Sequence, residues 1–102
     1  MSLYAIGEAL IDFVPSRPGK PDADIRYTPA VGGAPLNVAA AYARLGGKSY
    51  ILSQVGEDAF GEQIAATAQA AGVDTRYLKR SREAKTALAF VTLHENGERE
   101  FA

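Results

Sequence analysis

Short apolar runs open the chain and helical spacing follows them. Leu3 to Gly7 is apolar and ends in glycine, which suits a buried strand; Leu10 to Val14 is a second run, interrupted only by Asp12. Pro15-Ser16-Arg17-Pro18-Gly19-Lys20-Pro21 is dense in proline and glycine and marks a loop. Ile25 to Ala30 alternates enough for a strand, and Pro29 places it at an edge or near its end. Beyond Gly32-Gly33 the period changes. Pro35 fits a first helical turn, where a missing N–H costs nothing. Val38, Ala41, Tyr42 and Leu45 recur at i, i+3, i+4 and i+7, which predicts one apolar helix face ended by Gly46-Gly47. Tyr50 to Val55 reads as a strand. Phe60, Ile64, Ala68 and Ala71 repeat the helical spacing, with Asp58 placed to cap the helix and Gly72 to end it. Tyr77 to Lys79 is a short strand and Ala87 to Leu93 a clear one. Asn96-Gly97, ahead of Arg99-Glu100-Phe101, is a hairpin signal.

This order predicts an α/β sheet carrying a small β appendage. Two features suggest that residues 1–102 are part of a larger domain. The last hairpin has almost no return strand, and two helices do not cover both faces of a parallel sheet. The strands at Leu10 to Val14 and Ala87 to Leu93 read as edge-prone, which suggests self-association.

Composition narrows the function classes. Hydrophobic residues make up 47 % and charged residues 23 %, values ordinary for a packed domain. Eleven basic and twelve acidic side chains give a net charge of −1, which argues against a nucleic-acid partner. With no cysteine, disulfides and thiolate metal sites are excluded, and a reducing compartment is the natural reading. No apolar run approaches the roughly 20 residues of a membrane span. Met1-Ser2-Leu3-Tyr4 has no basic stretch before an apolar one, so no signal peptide is expected and the cytoplasm is the default.

Candidate chemistry concentrates in two places. In Gly32-Gly33-Ala34-Pro35-Leu36-Asn37, glycines allow close backbone approach and a helix start presents free N–H groups. Asn37 adds donors and an acceptor. Together they could grip hydroxyls; equally, this could be a glycine turn with an asparagine facing water. The stretch is neither a phosphate-binding Gly-Lys-Ser/Thr loop nor a dinucleotide fingerprint. Asp12 is either solvated or held for a ligand, and adjacent hydroxyls of a polyol would suit a carboxylate. Gly56-Glu57-Asp58 reads as capping rather than anion binding, because two carboxylates would repel phosphate. His94 is the only histidine and makes neither a triad nor a metal site. Arg99 and Phe101 would touch a ligand if the hairpin were a lid; otherwise they are ordinary cross-strand residues.

At these residues the chain resembles the PfkB, or ribokinase, family of sugar kinases. Gly7-Glu8-Ala9-Leu10-Ile11-Asp12 is similar to the family's first strand. Gly32-Gly33-Ala34-Pro35-Leu36-Asn37-Val38-Ala39 with Leu45-Gly46-Gly47 resembles its first signature, and Val55-Gly56-Glu57-Asp58-Ala59-Phe60-Gly61 is also typical. Thr86-Ala87-Leu88-Ala89-Phe90-Val91 and Gly97-Glu98-Arg99-Glu100-Phe101 resemble the bacterial fructokinases more than ribokinases. The resemblance implies a ribokinase-like αβα sandwich, here its N-terminal part only, with a β-sheet lid whose strands lie near 10–15, 25–31 and 87–102. It implies sugar contacts from Asp12, Gly32, Gly33 and Asn37, with Arg99 and Phe101 as further candidates, and homodimerisation through the lid strands. Ala34 stands where ribokinases often have lysine, which favours a hexose. The implied reaction is phosphoryl transfer from ATP, with Mg2+, to a sugar, fructose giving fructose 6-phosphate; the alternatives are 2-keto-3-deoxygluconate as substrate or a non-catalytic sugar-binding or association module. The catalytic base, its Gly-Ala-Gly-Asp motif and the ATP site lie further along in these kinases. No catalytic, cofactor or metal residue is therefore expected within this chain, whose partner would be the C-terminal part of the same kinase.

Overall fold

A computed structural model of the chain describes residues 1–20, 22–94 and 99–101. In chain order the elements are β1 (Ser2–Ile6), β2 (Leu10–Pro15), β3 (Tyr27–Gly32), α1 (Ala34–Arg44), β4 (Lys48–Gly56), α2 (Ala59–Ala70), β5 (Leu78–Ser81), β6 (Ala87–Leu93) and β7 (Arg99–Phe101). They build two sheets. One is parallel, in the order β1-β4-β5; the other is mixed, in the order β3-β2-β6-β7.

Parallel neighbours need a crossover, and α1 and α2 supply it. Both crossovers step the same way across the sheet, so connections of one hand place both helices on one face. A single buried cluster there joins Ala5, Ile51 and Val55 to Leu36 and Ala39 of α1 and Ile64, Ala65 and Ala68 of α2. The α1 face differs from the expected one. Leu36, Ala39, Ala40 and Ala43 pack inward, whereas Val38 is 54 % and Leu45 88 % exposed. The two sets share one spacing but are offset by two residues, about 200° around the helix. Small alanines let α1 lie close to the sheet, where buried Ser49 Oγ donates to the Ala39 carbonyl at 2.8 Å. On the opposite face Tyr4 stacks on Tyr50 at 4.7 Å, with Tyr77 beside them.

The second sheet corrects the expectation about edges. β2 is paired on both sides, by β3 and β6, and β6 is paired by β2 and β7. The free edges belong to β3 and β7, and Pro29 on β3 fits an edge strand. Asn96-Gly97 lies outside the described residues; the flanking strands pair antiparallel as a hairpin requires, Leu93 with Arg99 and Val91 with Phe101. Phe13 stacks on Phe90 at 4.9 Å and meets Phe60 of α2 edge-on at 5.7 Å, which seats this sheet against the core.

The expected caps are present. Gly46, at φ 91°, follows α1 and Gly72, at φ 90°, follows α2. Asp58 caps α2 by accepting from the Gly61 N–H at 2.7 Å. Its carboxylate also accepts from Thr86, from the hydroxyl at 2.7 Å and from the N–H at 3.0 Å. The Thr86 hydroxyl in turn accepts from the Gly56 N–H at 2.9 Å. Gly61 is needed for this closeness, since a side chain there would overlap the Gly56 carbonyl. The Thr86 hydroxyl first, then the N–H groups of Thr86 and Gly61, hold the Asp58 carboxyl at about 2, against an ordinary 3.8. A lowered folded-state value stabilises above the unfolded value and is lost as pH falls from about 4 through about 2. Thermal melting followed by circular dichroism from pH 7 to pH 2 should therefore fall steeply below pH 4 in the wild type. Asp58→Asn should melt lower at pH 7 and fall less over that acid window, the two curves converging near pH 2; parallel curves would contradict the assignment.

Candidate functional site

Asp12 sits inside β2, between Ala30 of β3 and Ala89 of β6. Neither alanine can donate from its side chain. Gly32 lies so close that any side chain there would run into the Asp12 carboxylate. Asp12 is half-buried, and among the described residues no donor bonds its side chain. Its oxygens are thus available to hydroxyls.

The second half of the site is the turn from β3 into α1. Gly33 adopts φ 105°, in the left-handed region that favours glycine. A Cβ there would lie 2.5 Å from the Glu8 carbonyl oxygen and 3.3 Å from Ala9 Cα. The steric demand on Gly33 is therefore set by the turn between β1 and β2, not only by a ligand. The N-cap residue, Gly33, has no side chain with which to cap this end of α1, and the first turn carries no acidic residue. The Asn37 N–H donates to the Gly33 carbonyl at 3.0 Å and closes the first turn, while the Asn37 side chain is exposed.

These pieces meet in one cleft of about 440 Å³, lined by Leu10, Asp12, Gly33, Ala34, Asn37 and Ala89. Three of the expected residues, Asp12, Gly33 and Asn37, line it. Gly32 stands behind the Asp12 carboxylate rather than on the wall. Arg99 is exposed on β7 and is not part of the lining; the Phe101 side chain lies outside the described residues. Ala34 comes from the glycine stretch already singled out, and Leu10 and Ala89 are additions. Leu10 was accessible to pattern reading, because it lies two positions before Asp12 and shares its strand face. Ala89 was not, because it joins through pairing with a strand more than 70 residues earlier in sequence order at Asp12. A larger hollow of about 540 Å³ between Met1, Tyr42 and Lys48 lacks such convergence; there the Tyr42 hydroxyl already donates to the Met1 carbonyl at 3.3 Å.

The cleft can accept hydrogen bonds at Asp12 and both give and accept them at Asn37, with small apolar walls. None of its lining side chains is cationic. Among the described residues no group of three or more His, Asp or Glu side chains could hold a metal ion. The residues present do not fit a triphosphate with its metal, and no phosphoryl-transfer step is assigned to them.

Residues 2–102 match the pfkB family carbohydrate kinase profile. The chain is 46 % identical to fructokinase-2 of Solanum lycopersicum over 100 residues, which are 97 % of this chain and 30 % of that protein. It is 48 % identical to fructokinase-1 of Oryza sativa subsp. japonica, again over 97 % of this chain and 31 % of the relative. The fold superimposes on the crystal structure of a fructokinase from Xylella fastidiosa with bound ATP at a TM-score of 0.85, with 42 % identity, covering 99 % of this chain and 32 % of that one. The chain thus spans about a third or less of these proteins. With the family profile matched from Ser2 to Ala102, and the fold and motif order shared, the chain belongs to the pfkB family of carbohydrate kinases.

Proposed function

We propose that this chain is the sugar-binding part of an ATP-dependent fructokinase, which transfers the γ-phosphate of ATP to fructose to give fructose 6-phosphate. The observation that carries this reading is the half-buried Asp12 carboxylate, without a donor among the described residues, in the cleft that also holds Asn37 and Gly33. A carboxylate and a carboxamide at a small-walled cleft are chemistry for vicinal hydroxyls. Identity of 46 to 48 % to plant fructokinases supports fructose as the sugar. The second sheet is read as the lid over it. ATP with Mg2+, and the catalytic base, are assigned to the part of the kinase that this chain does not include; the ATP-bound relative supports the nucleotide. The absence of cysteine favours a reducing, cytoplasmic setting. Among the described residues no helix is long and apolar enough to cross a membrane.

Fructose kcat/KM of the full-length gene product tests the site. Hydrogen bonds to charged groups contribute about 1.5–3 kcal/mol and neutral ones about 0.5–1.5 kcal/mol. Asp12→Ala should therefore lower kcat/KM about 10- to 100-fold and Asn37→Ala about 2- to 10-fold. Exposed Gln63→Ala on α2 should change nothing. Wild-type kinetics for Asp12→Ala would remove the proposed site.

The 102-residue chain alone should consume no ATP in the presence of fructose. Sugar-dependent turnover from a preparation shown by mass spectrometry to lack longer polypeptide would refute the assignment of the chemistry elsewhere.

Self-association is read as a homodimer through the second sheet, where Phe90 is 46 % and Leu88 42 % exposed. Exposed aromatic and aliphatic side chains side by side on one sheet are candidates for burial against a second copy. Sedimentation of the full-length protein should give a dimer, and Phe90→Asp a monomer. A wild-type monomer at micromolar concentration would end this part of the reading.

A further inference from the structure

The chain passes between its two sheets at three places. β1 leads to β2 through residues 7–9, β3 leads to α1 through Gly33, and residues 82–86 lead from β5 into β6. The first two passages contain glycine at positive φ, Gly7 at 144° and Gly33 at 105°. The third contains no glycine. It is tied down instead by the bonds around Thr86: the hydroxyl accepts from the Gly56 N–H at 2.9 Å and donates to Asp58 Oδ1 at 2.7 Å, and the Thr86 N–H donates to Asp58 Oδ2 at 3.0 Å. Gly56 ends β4 and Asp58 starts α2, so both anchors belong to the core. Thr86 is buried and immediately precedes β6. Three residues on, Ala89 pairs with Asp12 and lines the cleft.

We propose that Thr86 is a positioning residue for the sugar: clasped between the Gly56 N–H and the Asp58 carboxylate, it sets where β6, and the Asp12 strand paired to it, stands relative to Gly33 and Asn37. This rests on the reading of the cleft as a hexose site. Thr86 does not line the cleft, so its action on the sugar is indirect. Its hydroxyl uses both its donor and its acceptor capacity within the clasp. Valine keeps the shape and loses both; serine keeps both. With the clasp broken, the second sheet samples placements in which Asp12 and Asn37 do not converge. Apparent sugar affinity then falls by the fraction of molecules still competent. Sugar already bound restores convergence, so turnover is spared and the loss appears in KM.

The test uses the full-length gene product, with fructose KM and kcat measured alongside amide hydrogen exchange over residues 87–90 without sugar. Thr86→Val should raise KM about tenfold with kcat changed less than about twofold, and should speed exchange in that segment. Thr86→Ser should match the wild type in all three. If Thr86→Val does not fold, Asp58→Asn replaces it with the same expected split. An active wild type whose valine variant keeps its KM while melting lower makes the clasp merely structural and overturns the inference, leaving the sugar site standing. Equal losses for serine and valine also overturn it, as does a fall in kcat with KM unchanged. A wild type that phosphorylates no hexose removes the sugar reading itself, and the inference with it.

Discussion

Gly33 and the Glu8 carbonyl approach so closely that only a hydrogen fits on the Gly33 Cα. At this crossing the turn from β1 to β2 lies against the turn from β3 to α1. Asp12 follows the first turn by three residues beyond Ala9, and Asn37 follows the second by four beyond Gly33. The crossing therefore decides that a strand carboxylate and a helix carboxamide open onto the same hollow. An L-residue at φ 105° would add strain of about 1–3 kcal/mol to the overlap. The glycine serves the fold first, whatever its backbone adds to the proposed sugar site.

The two informative aspartates, one capping a helix and one inside a strand, show opposite solutions to carrying a partly buried charge. Asp58 receives three hydrogen bonds from Thr86 and Gly61, and its carboxyl is held well below the ordinary value. Asp12 is placed between alanines and behind it stands a glycine, with no protein donor among the described residues. Burying an unpaired carboxylate would be costly, and its half-exposure keeps that cost down. Asp58 serves the architecture, whereas Asp12 keeps its acceptors open, as the proposed sugar site requires. A carboxylate satisfied by its neighbours would make a poor receptor for hydroxyls.

Local chemistry was legible in the residues. Asp58 caps α2, Gly46 and Gly72 end the helices, Pro29 lies on an edge strand, and Asp12, Gly33 and Asn37 share a cleft. The caps rest on neighbours within a few positions, whereas the cleft shared by Asp12, Gly33 and Asn37 depends on the crossing of the two turns at Gly33 and Glu8. The misjudged features depend on pairing between distant segments. Whether Leu10 to Pro15 is an edge or an interior strand is decided by β6, and the same pairing brings Ala89 beside Asp12. The Thr86–Asp58 bond spans 28 residues, so capping explained Asp58 completely until the fold was known. The α1 face failed for a different reason. Two quartets of equal period compete, and close packing on the sheet selects the one rich in alanine over the more hydrophobic one bearing Val38 and Leu45.

Charge places a further constraint on how the proposed kinase must hold its sugar. The transferred phosphoryl group carries negative charge that must be neutralised by cations. Among the described residues the cleft is lined by a carboxylate and by no cation. A like charge 4 Å from Asp12 would raise the energy by about 4 kcal/mol at an effective dielectric constant near 20 unless a cation offset it. On the proposed reading, the hydroxyls that Asp12 would grip are then better placed away from the reacting one. On that reading recognition and transfer would be separated along the sugar, with the strand carboxylate holding the end remote from the nucleotide.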